Sequence, residues 1–168
     1  MKIKISNLSD GVHNFNFDEA VKDINLNEPF FGNILVEAEL NKAHNQLVLS
    51  ASITVRANFD CDRCNNNFNT TLTNTYKMVY FMGMEPENSD SINITYLAPD
   101  EDKIILDTDI RDYALLAVPM KRLCNEDCKG LCIGCGKNLN EGDCGCNREN
   151  IDDRWLPLME LKNKLNNN

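Results

Sequence analysis

The stretch QLVLSASITVRANF, residues 46–59, places an apolar side chain at every second position from Leu47 to Phe59. A two-residue period is typical of a β-strand that turns one face to a core and the other to water. A helix repeats every 3.6 residues and would not keep this alternation. The stretch therefore predicts a long, half-buried strand around which the fold is organised.

The segments on either side repeat the same pattern. Before the central strand, Ile34 to Leu40 alternate with acidic residues, and residues 42–45 have the composition of a hairpin turn. After it, Phe68 to Met82 alternate with a face rich in threonine. Three consecutive strands with short connections predict an antiparallel meander. Ile3, Ile5 and residues 92–97 are further strand candidates, enough to curl the sheet toward a partly closed barrel.

Two helices are predicted, both in the second half of the chain. Asp107-Thr108-Asp109 offers cap-forming side chains ahead of a helical spacing from Ile110 to Val118, and Pro119 ends it. The fold class is therefore α+β. The predicted divisions are a β-rich domain at 1–118 containing helix 108–118, a cysteine-rich zinc module at 119–152, a C-terminal helix at 153–165 and a disordered tail at 166–168.

Charge and terminal composition limit the class of protein. Asp and Glu number 26 against 17 Lys and Arg, a formal net charge of -9, so extended, unspecific binding to nucleic acid is not expected. No secretory signal and no run of eighteen apolar residues is visible. The sequence predicts a cytoplasmic protein, without a membrane partner or a small-molecule substrate, whose thiols stay reduced.

The eight cysteines occur in four close pairs, and this predicts metal binding. Two thiolates on one tight turn can reach a tetrahedral zinc ion, and a second pair can close its other side. The connection after the central strand carries the first pair, where a metal-binding turn would replace an ordinary hairpin. The preferred pairing puts Cys132, Cys135, Cys144 and Cys146 around one ion and Cys61, Cys64, Cys124 and Cys128 around a second. Whether one or two ions bind stays open.

The cysteine pairs are also compatible with two other kinds of chemistry. A redox C-x2-C motif would open a helix after a parallel strand, which is not the predicted context, and an iron–sulfur cluster also uses four thiolates. His13 in a loop and His44 in a hairpin turn are expected to be surface residues. Neither histidine can be assigned from the sequence as the base that activates a cysteine nucleophile, and the sequence has no glycine-rich phosphate-binding loop. No enzymatic activity is therefore expected.

Residues 118–146 carry a more specific pattern. They read VPMKRLCNEDCKGLC, then CGKNLN from Cys135, then CGC from Cys144, and with the upstream CDRC at 61–64 and Trp155-Leu156 they resemble the YceD family of large ribosomal RNA subunit accumulation proteins. The resemblance implies a role in the synthesis, processing or stability of 23S rRNA and in large-subunit assembly. It implies no mechanism and no enzymatic activity.

The only clustered positive charge near a rigid element surrounds the cysteine module. We expect any contact with 23S rRNA, or with large-subunit assembly proteins, to involve Lys121, Arg122, Lys129, Lys137 and Arg148. The alternative is that these are solvated surface charges. Two other functions stay open: a redox or iron–sulfur protein, and a general protein-interaction module with an indirect effect on rRNA.

Overall fold

The computed structural model describes residues 1–83, 93–146, 155, 157 and 158. None of the helices formed by these residues has the length and apolar character that a membrane span requires. The elements are β1 (Lys2–Lys4), β2 (Gly11–Ala20), a 3-10 helix (Val21–Ile24), β3 (Phe30–Ala43), β4 (Gln46–Asp60), β5 (Asn67–Met82), β6 (Ile94–Leu97), β7 (Lys103–Ile105) and α1 (Asp107–Leu116).

The chain forms two compact units. Unit 1 comprises Met1–Asp60 and Asn67–Arg122, and unit 2 comprises Cys61–Asn66 and Leu123–Asn168. Unit 1 contains every strand and helix named above, whereas the predicted C-terminal helix 153–165 and the tail 166–168 lie outside the described residues apart from positions 155, 157 and 158. The connection between β4 and β5 thus belongs to unit 2.

The predicted antiparallel meander is confirmed as β3, β4 and β5. Val36 pairs with Ile53 across β3 and β4, and Leu49 pairs with Met78 across β4 and β5. In β4 the buried side chains take every second position, because each strand of the pair turns alternate residues to opposite faces. The two-residue period of the sequence therefore corresponds directly to the buried face.

The barrel alternative is wrong, since the larger sheet is open within the described residues. Its order is β2-β3-β4-β5-β6, and β1 pairs with β7 in a separate two-stranded sheet. The sheet is also not antiparallel throughout, because β6 lies parallel to the end of β5. Ile3 and the segment 94–97 do form strands, but they extend different sheets and do not close one.

Strand β2 was not predicted, and His13 lies within it, so the expectation that His13 lies in a loop is wrong. Phe15 and Phe17 pack on the core while Asn14 and Asn16 face solvent. Two aromatic residues between asparagines gave too weak an apolar alternation to detect. His44 does occupy the β3–β4 turn, with a positive φ of 50°.

Helix α1 closes one face of the core, although its cap differs from the prediction. The cap position is Leu106, which makes no side-chain capping bond, and Asp107 is the first helical residue. Leu106, Ile110 and Ala114 are fully buried, so packing of the apolar face determines where the helix begins. The ring of Tyr113 stacks on Tyr76 of β5 at 4.5 Å between centroids.

Unit 1 has a large apolar core that contains no cysteine. Full burial of one aliphatic side chain contributes about 1.5–3 kcal/mol relative to exposure. The largest side chains that are essentially inaccessible are Ile3, Ile5, Leu26, Ile34, Val36, Leu40, Leu47, Leu49, Ile53, Val55, Leu106 and Ile110. The core of unit 1 therefore does not depend on a metal ion.

Candidate metal centres

The first knuckle, residues 61–66, replaces a hairpin turn between β4 and β5. The amide of Cys61 donates to the carbonyl of Asn66 (2.9 Å), and the amide of Asn65 donates to the carbonyl of Cys61 (2.8 Å). Asn65 adopts φ 58°, in the left-handed region that asparagine tolerates. This turn brings the thiols of Cys61 and Cys64 together, and both residues are only 2% exposed.

The second knuckle, residues 132–137, repeats this geometry. The amide of Cys132 donates to the carbonyl of Lys137, and the amide of Gly136 donates to the carbonyl of Cys132, both at 2.8 Å. Gly136 occupies the position equivalent to Asn65 and also has a positive φ, 73°. Two C-x2-C segments distant in sequence thus form the same turn, in which two thiols are presented on one side.

The first tetrad consists of Cys61, Cys64, Cys124 and Cys128, whose sulfur atoms all lie within 4.8 Å of one another. The Sγ atoms of Cys61 and Cys128 are 3.8 Å apart, and those of Cys64 and Cys124 are 3.6 Å apart. A tetrahedral zinc ion with Zn–S bonds of ~2.3 Å separates its sulfurs by about 3.8 Å, whereas a disulfide bond is ~2.05 Å long. The four sulfurs therefore fit a metal ion.

The second tetrad consists of Cys132, Cys135, Cys144 and Cys146, again with all sulfurs within 4.8 Å. It is more open than the first: only Cys132 is buried, whereas in the first tetrad only Cys124 is exposed. The structure thus brings together the same two groups of four cysteines that were predicted from the sequence, and each of the two tetrads could hold a metal ion. Among the described residues, neither His13 nor His44 belongs to a group of side chains that could hold a metal ion.

The thiols within each tetrad differ in acidity. Burial opposes ionisation of Cys61, but backbone amide hydrogen bonds outweigh it and lower its pKa to about 6. Amides of the second knuckle lower the pKa of Cys132 to about 6. Burial and neighbouring thiols raise the pKa of Cys124 to about 12, and neighbouring thiols raise that of Cys146 to about 12. Four adjacent thiolates repel one another, so a divalent cation would relieve a charge that the protein alone does not hold.

Two residues that support the first tetrad were not identified from the sequence. The guanidinium of Arg63 donates to the carbonyls of Glu126 (3.0 Å) and Cys128 (2.8 Å), which ties the C-x3-C segment to the first knuckle. The amide nitrogen of the Asn140 side chain donates to Sγ of Cys128 (3.3 Å). Neither an arginine inside a C-x2-C motif nor an asparagine in an asparagine-rich chain carries a distinctive sequence signal.

Gly130 is required where the C-terminal segment passes the first knuckle. It has φ 75°, and a Cβ atom there would lie 3.0 Å from the carbonyl oxygen of Arg63; Gly136 has φ 73°, with nothing within 4 Å of an added Cβ. We expect Gly136→Ala to cost about 1–2 kcal/mol from the left-handed backbone alone. Gly130→Ala should cost more because it adds a backbone clash.

The two alanine variants can be compared by the free energy of unfolding of unit 2, measured by hydrogen exchange at the amides of the second knuckle and its flanks. Each variant serves as the other's control, because both carry the same chemical change at nearly the same φ. Equal losses in the two variants would contradict the close approach of Gly130 to Arg63.

The basic residues singled out in the sequence are divided between the units. Lys121 and Arg122 lie in unit 1, Lys129 and Lys137 lie in unit 2, and all four are exposed, whereas Arg148 lies outside the described residues. The Arg122 guanidinium lies 5.8 Å from the Phe59 ring centroid. Nζ of Lys137 donates to the carbonyl of Asp143 at 2.9 Å, so this lysine also stabilises the loop that leads to the last cysteine pair.

Comparison with known proteins gives relatives that match part of the chain. A chloroplastic large ribosomal RNA subunit accumulation protein YCED homolog 1 of Arabidopsis thaliana is 34% identical over 70 residues, which cover 42% of this chain and 22% of the plant protein. The homolog of the same name from Zea mays is 42% identical over 55 residues, or 32% and 19% of the two chains. An uncharacterized protein of Mycobacterium tuberculosis is 38% identical over 61 residues, or 36% and 29%.

The matches to these relatives are partial, but the family match is broad. The chain spans about a fifth of the length of the two plant proteins. No solved structure matches it. A family model described as large ribosomal RNA subunit accumulation protein YceD matches residues 49–162, which include most of the central strand and all eight cysteines. The chain therefore belongs to the YceD family of large ribosomal RNA subunit accumulation proteins.

Proposed function

We propose that this protein is a non-enzymatic, zinc-binding factor that supports the synthesis, processing or stability of 23S rRNA, and thereby assembly of the large ribosomal subunit. Family membership supports the link to large-subunit rRNA. The proposal that the protein binds metal rests on the two all-cysteine tetrads, whose sulfur spacings suit a tetrahedral ion. The proposed protein therefore has a metal-stabilised cysteine module and acts on the accumulation of 23S rRNA.

Zinc is the ion that best suits these ligands in a non-catalytic role. A structural zinc site is closed by four protein ligands, whereas a catalytic site keeps one position open for water or substrate. Each tetrad supplies four thiolates and so would leave no open position. When bound, the ion would act as a cross-link between segments of unit 2. Iron–sulfur clusters also accept four thiolates, but they absorb visible light and zinc does not, so the colour of the purified protein separates the two.

Contact with RNA is proposed to run through Lys121, Arg122 and Lys129, with Lys137 and Arg148 as further contributors. The net charge of -9 makes a broad phosphate-binding surface improbable on physical grounds, so local positive charge has to supply the contact. Lys121, Arg122 and Lys129 are exposed, so their side chains can reach phosphate oxygens.

Charge reversal tests this contact. We expect Lys121→Glu with Arg122→Glu and Lys129→Glu to lower affinity for a 23S rRNA fragment at least tenfold. The slope of log affinity against log salt should also become shallower by about 2, since each phosphate contact contributes ~0.7–0.9. The matched control reverses Lys2, Lys4 and Lys103, three exposed lysines of the β1–β7 sheet, and changes the net charge equally.

Filter binding of the two triple variants at several salt concentrations distinguishes the outcomes. Equal losses in both would indicate a net-charge effect and contradict a local contact. If neither variant changes rRNA binding, the contact assigned to these three residues is wrong. Pull-down before and after nuclease treatment then tests a protein-mediated role, since protein partners would persist after the RNA is removed.

A further inference from the structure

Asn140 belongs by sequence to the second metal centre but reaches the first. It lies between Cys135 and Cys144, the second and third cysteines of the second tetrad. Its side-chain nitrogen donates to Sγ of Cys128 in the first tetrad (3.3 Å), and its side-chain oxygen accepts from the backbone amide of Lys129 (2.8 Å). One side chain thus satisfies both a sulfur atom and the backbone beside it.

The loop around Asn140 is held by a short set of bonds. The amide of Leu139 donates to the carbonyl of Gly130 (2.9 Å), and the amide of Asn140 donates to the side-chain oxygen of Asn138 (3.0 Å). Asn138 forms an isolated antiparallel bridge with Leu131, and residues 136–143 contain no helix or strand. The cysteines of the second tetrad lie at both ends of this loop, so closing those four thiols on an ion would fix both ends of the loop.

An amide that donates to a ligand sulfur stabilises the thiolate in place. Loss of such an outer partner typically lowers metal affinity about 10–100-fold. Because the donor comes from the loop of the other tetrad, the stabilisation of Cys128 is available only while that loop is held. This is a physical route by which occupancy of one centre changes the affinity of its neighbour.

We propose that Asn140 is a positioning residue that couples the two metal centres: an ion in the second tetrad fixes the loop, and the loop holds the Asn140 amide against Cys128. The inference rests on the proposed binding of metal by both tetrads. Metal in the second tetrad then slows loss of metal from the first. By linkage, the factor by which metal in the second tetrad raises the affinity of the first is also the factor by which metal in the first raises the affinity of the second.

Release of Co²⁺ tests the coupling, because tetrahedral thiolate–cobalt centres absorb visible light and their loss can be followed directly. The Co²⁺-loaded protein is mixed with excess chelator under reducing, oxygen-free conditions. The kinetic phase of the first tetrad is the one that disappears in the Cys61→Ser and Cys64→Ser variant. In Cys144→Ser with Cys146→Ser, which opens the second tetrad, we expect this phase to be about tenfold faster than in the unaltered protein.

Substitutions at Asn140 separate coupling from simple loop packing. Asn140→Ala should accelerate first-tetrad release by at least the same factor, because it removes the amide donor to Sγ of Cys128 and also the acceptor for Lys129. Combining it with the two serine substitutions should add little, since all three remove the same amide–sulfur interaction. Asn140→Asp keeps the acceptor for Lys129 but loses the donor to Sγ of Cys128 and to the side-chain oxygen of Asn138, so it should be at least as fast as Asn140→Ala. If Asn140→Asp behaved as the unaltered protein, the loop contact alone would matter and the coupling assigned to the sulfur bond would be wrong.

The outcomes also separate this inference from the proposed function. Suppose that the chain binds two Co²⁺ ions but that opening the second tetrad leaves the first-tetrad phase unchanged, or that the rate effects multiply in the combined variant. Either result would overturn the coupling and leave metal binding intact. A chain that takes up no Co²⁺ would overturn both. Neither result alters the rRNA contact, which is measured on different residues.

Discussion

Replacing Cys61 and Cys64 together by serine is expected to remove one metal ion per chain and to release the first knuckle from residues 124–128. Serine keeps the size of the side chain but is a poor ligand for a thiolate-preferring ion. Structural zinc in zinc-finger peptides contributes ~10–16 kcal/mol of apparent binding free energy when all four ligands are present. The two remaining sulfurs of the first tetrad would not be enough to retain the ion. Metal analysis of the purified variant gives the stoichiometry.

The control for this variant is the equivalent double substitution in the second knuckle, Cys132→Ser with Cys135→Ser. It should also lower the metal content by one ion, since each tetrad is closed by its own knuckle. In both variants unit 1 should keep its fold, because no cysteine belongs to its core. An unchanged metal content in both variants would contradict the assignment of the tetrads.

Removing metal from the intact chain should have a large effect confined to unit 2. Residues 123–146 contain one isolated β-bridge and no helix or strand, so few backbone hydrogen bonds hold them. With a strong chelator and a reductant present, we expect amides such as that of Cys132, which donates to Lys137, to lose their protection from hydrogen exchange. Amides of β3, β4 and β5 should stay protected because the apolar core of unit 1 does not include the tetrads.

Hydrogen exchange followed by mass spectrometry resolves the two units in one experiment. The matched control is the same chelator already saturated with zinc, in the presence of the same reductant. Omitting the reductant would not be a sufficient control, because the freed thiols could oxidise. Loss of protection throughout the meander would show that the sheet itself depends on metal. Full protection of the second knuckle after metal removal would show that hydrogen bonds alone hold it.

The parts of the fold that rest on strong periodicity could be predicted from the sequence. Alternation from Leu47 to Phe59 corresponds to the buried face of β4, and its neighbours pair with it in register. The cysteine pairs are similarly informative, because a C-x2-C turn has few alternative uses for two adjacent thiols. In both cases a local pattern is enough to determine the local structure.

Features that depend on distant contacts could not be predicted. Strand β2 has Phe15 and Phe17 among asparagines, and only pairing with β3 makes it a strand. The parallel attachment of β6 follows from tertiary packing, as does the burial of Leu106 that sets the start of α1. Arg63 and Asn140 act through hydrogen bonds to atoms many residues away, so spacing in the sequence carries no trace of them.

Native mass spectrometry with elemental analysis, on protein purified without added metal, tests most directly whether the sulfur tetrads close on metal. Eight thiols arranged in two four-sulfur groups predict a mass that exceeds the bare chain by two zinc ions, less the protons that the thiols release. A metal-free mass, or one reduced by the hydrogens lost on disulfide formation in freshly isolated protein, would contradict the account.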